Sequence, residues 1–98
     1  MNETGGTVEQ RTCLVRGRVQ GVGFRAFVLQ TAAALGLRGW VRNEDDGRSV
    51  LVLAQGSTDA LDTLEEGLRV GPPGALVEHL ECRRQRAAGL GAGFVVRR

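Results

Sequence analysis

The sequence predicts an α+β domain, a split βαβ sandwich in which two helices pack on one face of a four- to five-stranded, mostly antiparallel sheet. Three observations lead there. Strand-like alternation and helix-like spacing follow one another along the chain in the order strand, helix, strand, strand, helix, strand, with a short terminal strand. Glycine-rich turns mark the boundaries between these segments. A length of 98 residues provides one modest core and is too short for a doubly wound dinucleotide fold or a barrel.

Residues 1–10 show no periodicity and read as a flexible leader, leaving 11–98 as the single domain. From Thr12 to Val19, Cys13, Val15, Gly17 and Val19 share one face and Leu14, Arg16 and Arg18 the other, the pattern of a half-buried strand. Gln20-Gly21-Val22-Gly23 is a tight turn. Phe24, Phe27, Val28, Thr31 and Leu35 then recur at helical spacing, and Gly36 supplies a stop. Leu37 to Asn43 reads as the second strand, Glu44 to Gly47 as a turn, and Val50 to Gln55 as a third strand, apolar on both faces and therefore central. These two strands form a hairpin. Ser57 or Thr58 can cap a helix striped by Leu61, Leu64 and Leu68, which Gly71-Pro72-Pro73-Gly74 ends. Leu76 to Arg84 alternates weakly as a fourth strand, and a glycine- and alanine-rich loop leads to a closing strand at Phe94 to Arg97.

Composition excludes several chemistries. All 13 basic residues are arginine, so neither Schiff-base catalysis nor a Walker-type lysine is available. Cys13, Cys82 and His79, with no C-x-x-C pair, cannot supply the clustered ligands of a usual zinc site. No apolar run approaches the ~20 residues of a membrane span, and no secretory signal pattern opens the chain, so the cytoplasm is the expected compartment. There the two thiols are expected to stay reduced, although their strands can be neighbours. The formal net charge of +2 is mild for a nucleic-acid binder.

The segment Gly17 to Arg25 ends a strand and opens a helix. Its small residues let several backbone N–H groups converge, and the helix N-terminus adds partial positive charge, so the loop suits a tetrahedral anion. Arg25 falls in the first helical turn, where its planar fork can grip two phosphate oxygens at once. A plain tight turn accounts for the same glycines. Gly21 to Ala26 also fits a G-x-G-x-x-A dinucleotide fingerprint, with acids near Asp45, but the following hairpin and the arginines of the first strand argue against it. Asn43, on pattern alone, is a turn residue.

Three runs carry a resemblance: Val15 to Arg25, Leu35 to Asn43, and Asp46-Gly47 with Gly71 to Ala75. Together they closely resemble the acylphosphatase family, over roughly Cys13 to the end. The resemblance implies a ferredoxin-like sandwich and hydrolysis of carboxyl-phosphate anhydrides. By the same carry-over, Arg25 corresponds to the phosphate-binding arginine and Asn43 to the asparagine that positions the attacking water. Gln20, Gly21, Val22, Gly23, Phe24 and Arg25 correspond to the backbone cradle. The implied partner is a small acyl phosphate, with phosphate or sulfate as an anion for the site. Neither metal nor cofactor is called for, nor nucleic acid or membrane, and a monomer is the default. Gly23 to Val28 is also similar to the acylphosphatase-like domain at the front of hydrogenase-maturation carbamoyltransferases; with the chain ending at Arg98, a free-standing enzyme is expected.

Two other readings share this fold. One is a catalytically silent module that docks phosphate or carbamoyl phosphate, which would need Arg25 but not Asn43. The other is an RNA-binding sheet, which predicts exposed strand aromatics, whereas Phe24 and Phe27 lie in the first helix. Trp40 is expected to pack at the hairpin's core or rim, with stacking on an aromatic acyl group as the lesser role. Arg83, Arg84, Arg86, Arg97 and Arg98 are expected to be solvated surface, and His79 likewise. Glu44, Asp45 and Asp46 put negative charge beside Asn43, expected to weaken anion binding unless Arg38, Arg42 or Arg48 offsets it. The stretch from Asn43 to Gly56 is one residue longer than the family pattern, with Ser49 at an apolar strand position, so a bulge or longer hairpin is expected there.

Overall fold

The computed structural model describes residues 8–87, 89 and 92–97. Five strands, β1 (Glu9–Arg18), β2 (Arg38–Asn43), β3 (Ser49–Gly56), β4 (Leu76–Arg86) and β5 (Phe94–Arg97), form one sheet in the order β4-β1-β3-β2-β5. Helices α1 (Phe24–Ala34) and α2 (Thr58–Val70) pack on one face. β1 pairs antiparallel with β3 and β4, β2 antiparallel with β3, and β5 parallel with β2. This is the ferredoxin-like α+β sandwich, and β3 is its central strand, as its apolar run on both faces implied.

The alternation that defines the strands also builds the core. Cys13, Val15, Val41, Val50, Val52 and Ala54 present the helix-facing side, against Phe24, Val28 and Ala32 of α1 and Leu61, Leu64 and Leu68 of α2. Leucines three and four apart put a single stripe on the sheet, and Ser57 opens α2 by accepting from the Ala60 N–H at 3.2 Å.

β1 begins at Glu9, three residues ahead of the predicted Thr12, so Glu9 and Gln10 belong to the strand and not to the leader. The remaining leader, residues 1–7, lies outside the described residues. Arg11 explains the extension. It is only 2% exposed on the helix-facing side, and its guanidinium reaches Glu9 at 2.6 Å, Asp62 at 2.7 Å and Glu65 at 2.8 Å. A buried cation persists only with such compensation, and three carboxylates from β1 and α2 provide it. On the opposite face, Gln55 donates to Gln10 at 2.8 Å and Gln10 to Gln85 at 2.9 Å, a ladder across three strands.

Cys13 and Cys82, expected as reduced thiols, sit directly opposite each other on β1 and β4 and are joined in a disulfide. β2 and β3 keep one register from Arg38 opposite Gln55 to Asn43 opposite Val50. The extra residue is therefore taken up in the turn, not in a bulge of this hairpin. Asp46 stabilises that turn by accepting from the Arg48 and Ser49 N–H groups and the Ser49 hydroxyl, at 2.9, 2.8 and 2.6 Å. The register shift lies instead between β1 and β4, after Arg16, where Gly17 at φ +144° lets the Leu76 carbonyl come closer than any Cβ would permit.

Candidate functional site

The loop between β1 and α1 turns on two glycines in the left-handed region, Gly21 at φ +75° and Gly23 at φ +78°. No atom outside the neighbouring residues lies where a Cβ would go on either, so it is backbone conformation and not crowding that requires glycine there. Gly23 is the N-cap of α1. No side chain caps this helix and no acid stands in its first turn. Its first N–H groups thus face outward without an internal acceptor, next to the half-buried Arg25.

Gly21, Gly23, Phe24, Arg25 and Asn43 line one cavity of about 540 Å³. Asn43 ends β2, opposite Val50 and two residues beyond Val41, so it faces the helix side of the sheet. Its Oδ1 is buried and accepts no hydrogen bond among the described residues. An orphaned carbonyl oxygen of this kind costs free energy unless a ligand or water satisfies it. The wall opposite is apolar: Val19, Ala26, Leu29 and Val96 complete the lining, the first two inside the motifs and the last two outside them, and none was named as a site residue. For Ala26 and Leu29 the i, i+3 spacing was a usable signal. Val96, across the fold, left none.

Gln20 and Val22 do not line this cavity. The Gln20 carboxamide donates to the Glu44 and Ser49 carbonyl oxygens at 2.8 and 2.9 Å, tying the glycine loop to the β2–β3 turn, and Val22 packs on the core. Gln20 contributes instead to a separate cavity of about 290 Å³ with Gly17, Arg48 and Glu78.

Charge around the site is largely paired. Arg42 holds Glu44 at 2.9 Å, and Arg48 holds Glu78 at 2.6 Å. Asp46 is occupied by the turn, and its bonds to the Ser49 hydroxyl and to backbone N–H groups keep its carboxyl below the usual range. Asp45 stays exposed, and with Arg42, Glu44 and Asn43 it lines a neighbouring cavity of about 280 Å³. Trp40 lies on the open face of the sheet, an odd number of residues from Asn43, with Arg42 and Arg97 guanidiniums 5.1 and 5.0 Å from its ring. It therefore points away from the cavity and cannot stack on anything bound there. His79, Arg83, Arg84, Arg86 and Arg97 are exposed, and Arg98 lies outside the described residues. Among the described residues the gathered metal-ligating types are Cys13, Cys82 and Glu65, and the two sulfurs are bonded to each other.

Residues 11–96 match the acylphosphatase family model. An acylphosphatase of Salinibacter ruber is 47% identical over 93 residues, covering 95% of this chain and 97% of the relative. The crystal structure of acylphosphatase from Bacillus subtilis superposes with a TM-score of 0.87 at 39% identity, over 92% of this chain and 99% of that one. An acylphosphatase structure from Coxiella burnetii gives 0.86 at 34%, over 93% and 94%. The chain belongs to the acylphosphatase family of hydrolases.

Proposed function

We propose that the protein hydrolyses acyl phosphates to a carboxylate and inorganic phosphate by direct attack of a water. Arg25, the loop amides of Gly21, Gly23, Phe24 and Arg25 and the first turn of α1 hold the phosphoryl oxygens, and Asn43 holds the water. The observation that carries this reading is the orphaned Asn43 Oδ1 at the cavity shared with Gly21, Gly23 and Arg25.

Asn43 accepts one hydrogen of the water and aims its lone pair at phosphorus, in line with the scissile P–O bond. A new P–O bond forms as the anhydride P–O bond breaks, the carboxylate departs, and a phosphoryl oxygen takes the water's proton. A carboxylate is a good leaving group and the transition state is loose, so positioning and charge neutralisation carry the step without a strong base. Donors already fixed around the equatorial oxygens cost little reorganisation as charge redistributes. Docking alone would make use of Arg25 and the amides but would leave the Asn43 oxygen without a purpose, which favours hydrolysis over a silent module.

The test is benzoyl phosphate hydrolysis, followed by ultraviolet absorbance with a chelator present, for wild type and Asn43→Ala with the variant's fold checked by circular dichroism. Turnover falling by about 10²-fold or more, with phosphate binding within a few-fold, is the expected result. A folded wild type that binds phosphate and turns nothing over would mark a docking module. A metal-independent monomer in the cytoplasm is part of the same proposal. No helix among the described residues is long and apolar enough to cross a membrane. A reducing compartment would open the Cys13–Cys82 bond, so thiol labelling in cells tests the location.

A further inference from the structure

The sheet has a second face that neither helix covers, and the register fixes what stands on it. Leu14 is opposite Leu51 and Glu81, Thr12 opposite Leu53 and Arg83, Arg16 opposite Ser49, and Trp40 and Arg42 opposite Val95 and Arg97. Arg18 and Arg38 share this parity on β1 and β2, so six of the 13 arginines project from one face, and all but Arg42 are exposed. Acids concentrate on the other side, where Asp59, Asp62, Glu65 and Glu66 ride on α2. The net charge of +2 therefore averages two sides of opposite sign. Among the described residues Arg16, Arg18, Arg38 and Arg97 form no ion pair, while Glu44 is held by Arg42 at 2.9 Å and Glu81 lies 3.9 Å from Arg83. Between the arginines the floor is apolar: Leu14, Leu51, Leu53 and Trp40 are half-buried. Leu14, Leu51, Arg83 and the acids Glu44 and Glu81 line a cavity of about 340 Å³ there. Trp40, with the Arg42 and Arg97 guanidiniums 5.1 and 5.0 Å from its ring, is the strand aromatic that a nucleic-acid-binding sheet requires.

We infer that this open face binds single-stranded nucleic acid, its arginines pairing with phosphates while the apolar floor and the Trp40 cluster receive unpaired bases. A row of guanidiniums without carboxylate partners matches a chain of phosphates, and release of condensed counterions drives the contact. An unpaired base offers a flat surface that stacks on an indole or a guanidinium plane. A duplex keeps its bases covered and would use only the arginines. Anionic lipid would use them too, but half-buried leucines do not reach into a bilayer. Arg25 and Asn43 belong to the helix side of the sheet, so this site does not depend on the hydrolase reading.

Trp40 is the only tryptophan and the chain has no tyrosine, so its emission reports on this face directly. The experiment titrates the protein with an oligothymidylate of about twelve residues across a salt series. Trp40 emission is expected to be quenched, and log K to fall against log salt with a slope of about −3, the release expected for about four phosphates. Arg16→Gln and Arg38→Gln lie on separate strands, so misfolding of one does not void the test. Each should weaken binding about three- to tenfold and make the slope shallower by about 0.7, with melting unchanged, while Arg69→Gln on α2 does neither. No quenching at low salt, or an equal loss in Arg69→Gln, would overturn the site. Equal affinity for a duplex would overturn it too, by leaving the apolar floor unused. Quenching by phosphatidylglycerol vesicles and not by the oligonucleotide would overturn it in favour of a membrane contact.

Discussion

Helix α2 opens on Ser57, whose hydroxyl occupies the Ala60 N–H, with Asp59 in its first turn and Glu9 accepting from the Thr58 hydroxyl at 3.0 Å, whereas α1 opens on Gly23 with no side-chain cap and no acid. Both helices lie on the same sheet and bury equally regular apolar stripes. Their ends differ in who satisfies the backbone donors. At α2 the chain does so itself, and negative charge meets the positive end of the dipole within the fold. At α1 the donors are left outward, a cation stands where an acid would be expected, and an unpaired Asn43 oxygen faces the same cavity. Stability that α1 forgoes at its N-terminus is available to a bound anion, because whatever binds the folded state alone stabilises it.

The comparison breaks or sharpens at particular residues. Among substitutions at the two helix ends the largest effect is expected for Arg25→Lys, which keeps the charge and loses the bidentate fork. kcat/KM for benzoyl phosphate should fall about 10- to 100-fold, and near-wild-type kinetics would remove Arg25 from the phosphate. Next is Gly23→Asp, which gives α1 the kind of end α2 has, since aspartate tolerates the left-handed region better than most residues. Calorimetry should find phosphate binding weakened about tenfold or more with melting little changed; undiminished binding would mean that the anion sits elsewhere. Ser57→Ala is the mirror experiment. It should lower stability by about 1 kcal/mol in denaturant titration and leave kcat/KM alone.

The smallest effect concerns acid. Glu9 is held below its ordinary value chiefly by its bond to Arg11, and Asp46 chiefly by its bond to the Ser49 hydroxyl. Depressed carboxylates add stability that is fully present above their unfolded values of 4.5 and 3.8 and is lost as pH falls through the lower folded ones. Stability measured at pH 7 and pH 3 should therefore drop, and the drop should shrink in Glu9→Gln. An unchanged drop would show that this carboxylate, though beside the Thr58 end of α2, does not couple its titration to folding.

Much of this was legible from local pattern. Alternation over Cys13 to Val19 set the buried face of β1, the Leu61, Leu64, Leu68 stripe set α2, and Ser57 announced its start. The glycines at 21 and 23 marked a loop needing left-handed backbone, which is a property of single residues. What escaped was non-local. Arg11 lies just ahead of the predicted strand and carries no local signal of burial, which becomes possible only when Asp62 and Glu65, some fifty positions away, arrive to neutralise it. Spacing could not tell whether Cys13 and Cys82 bond, because the register of β1 against β4 decides that. Trp40 and Asn43 stand three apart on one strand, yet the parity of the pleat sends them to opposite faces, one to a pair of arginines and one to the cavity. Gln20 belonged to the motif, but its partners lie in another turn.

Those partners are main-chain oxygens, and this bears on which substitutions the molecule tolerates. Two separate turns, one leading into Arg25 and one following Asn43, are latched by the single Gln20 carboxamide, which takes hold of carbonyls and reads no side chain of the second turn. The distance between the two turns is thereby insulated from the identity of residue 44. A change of charge at that position would alter the electric field at the cavity mouth and leave the two hydrogen bonds that space the anion grip from the water holder in place.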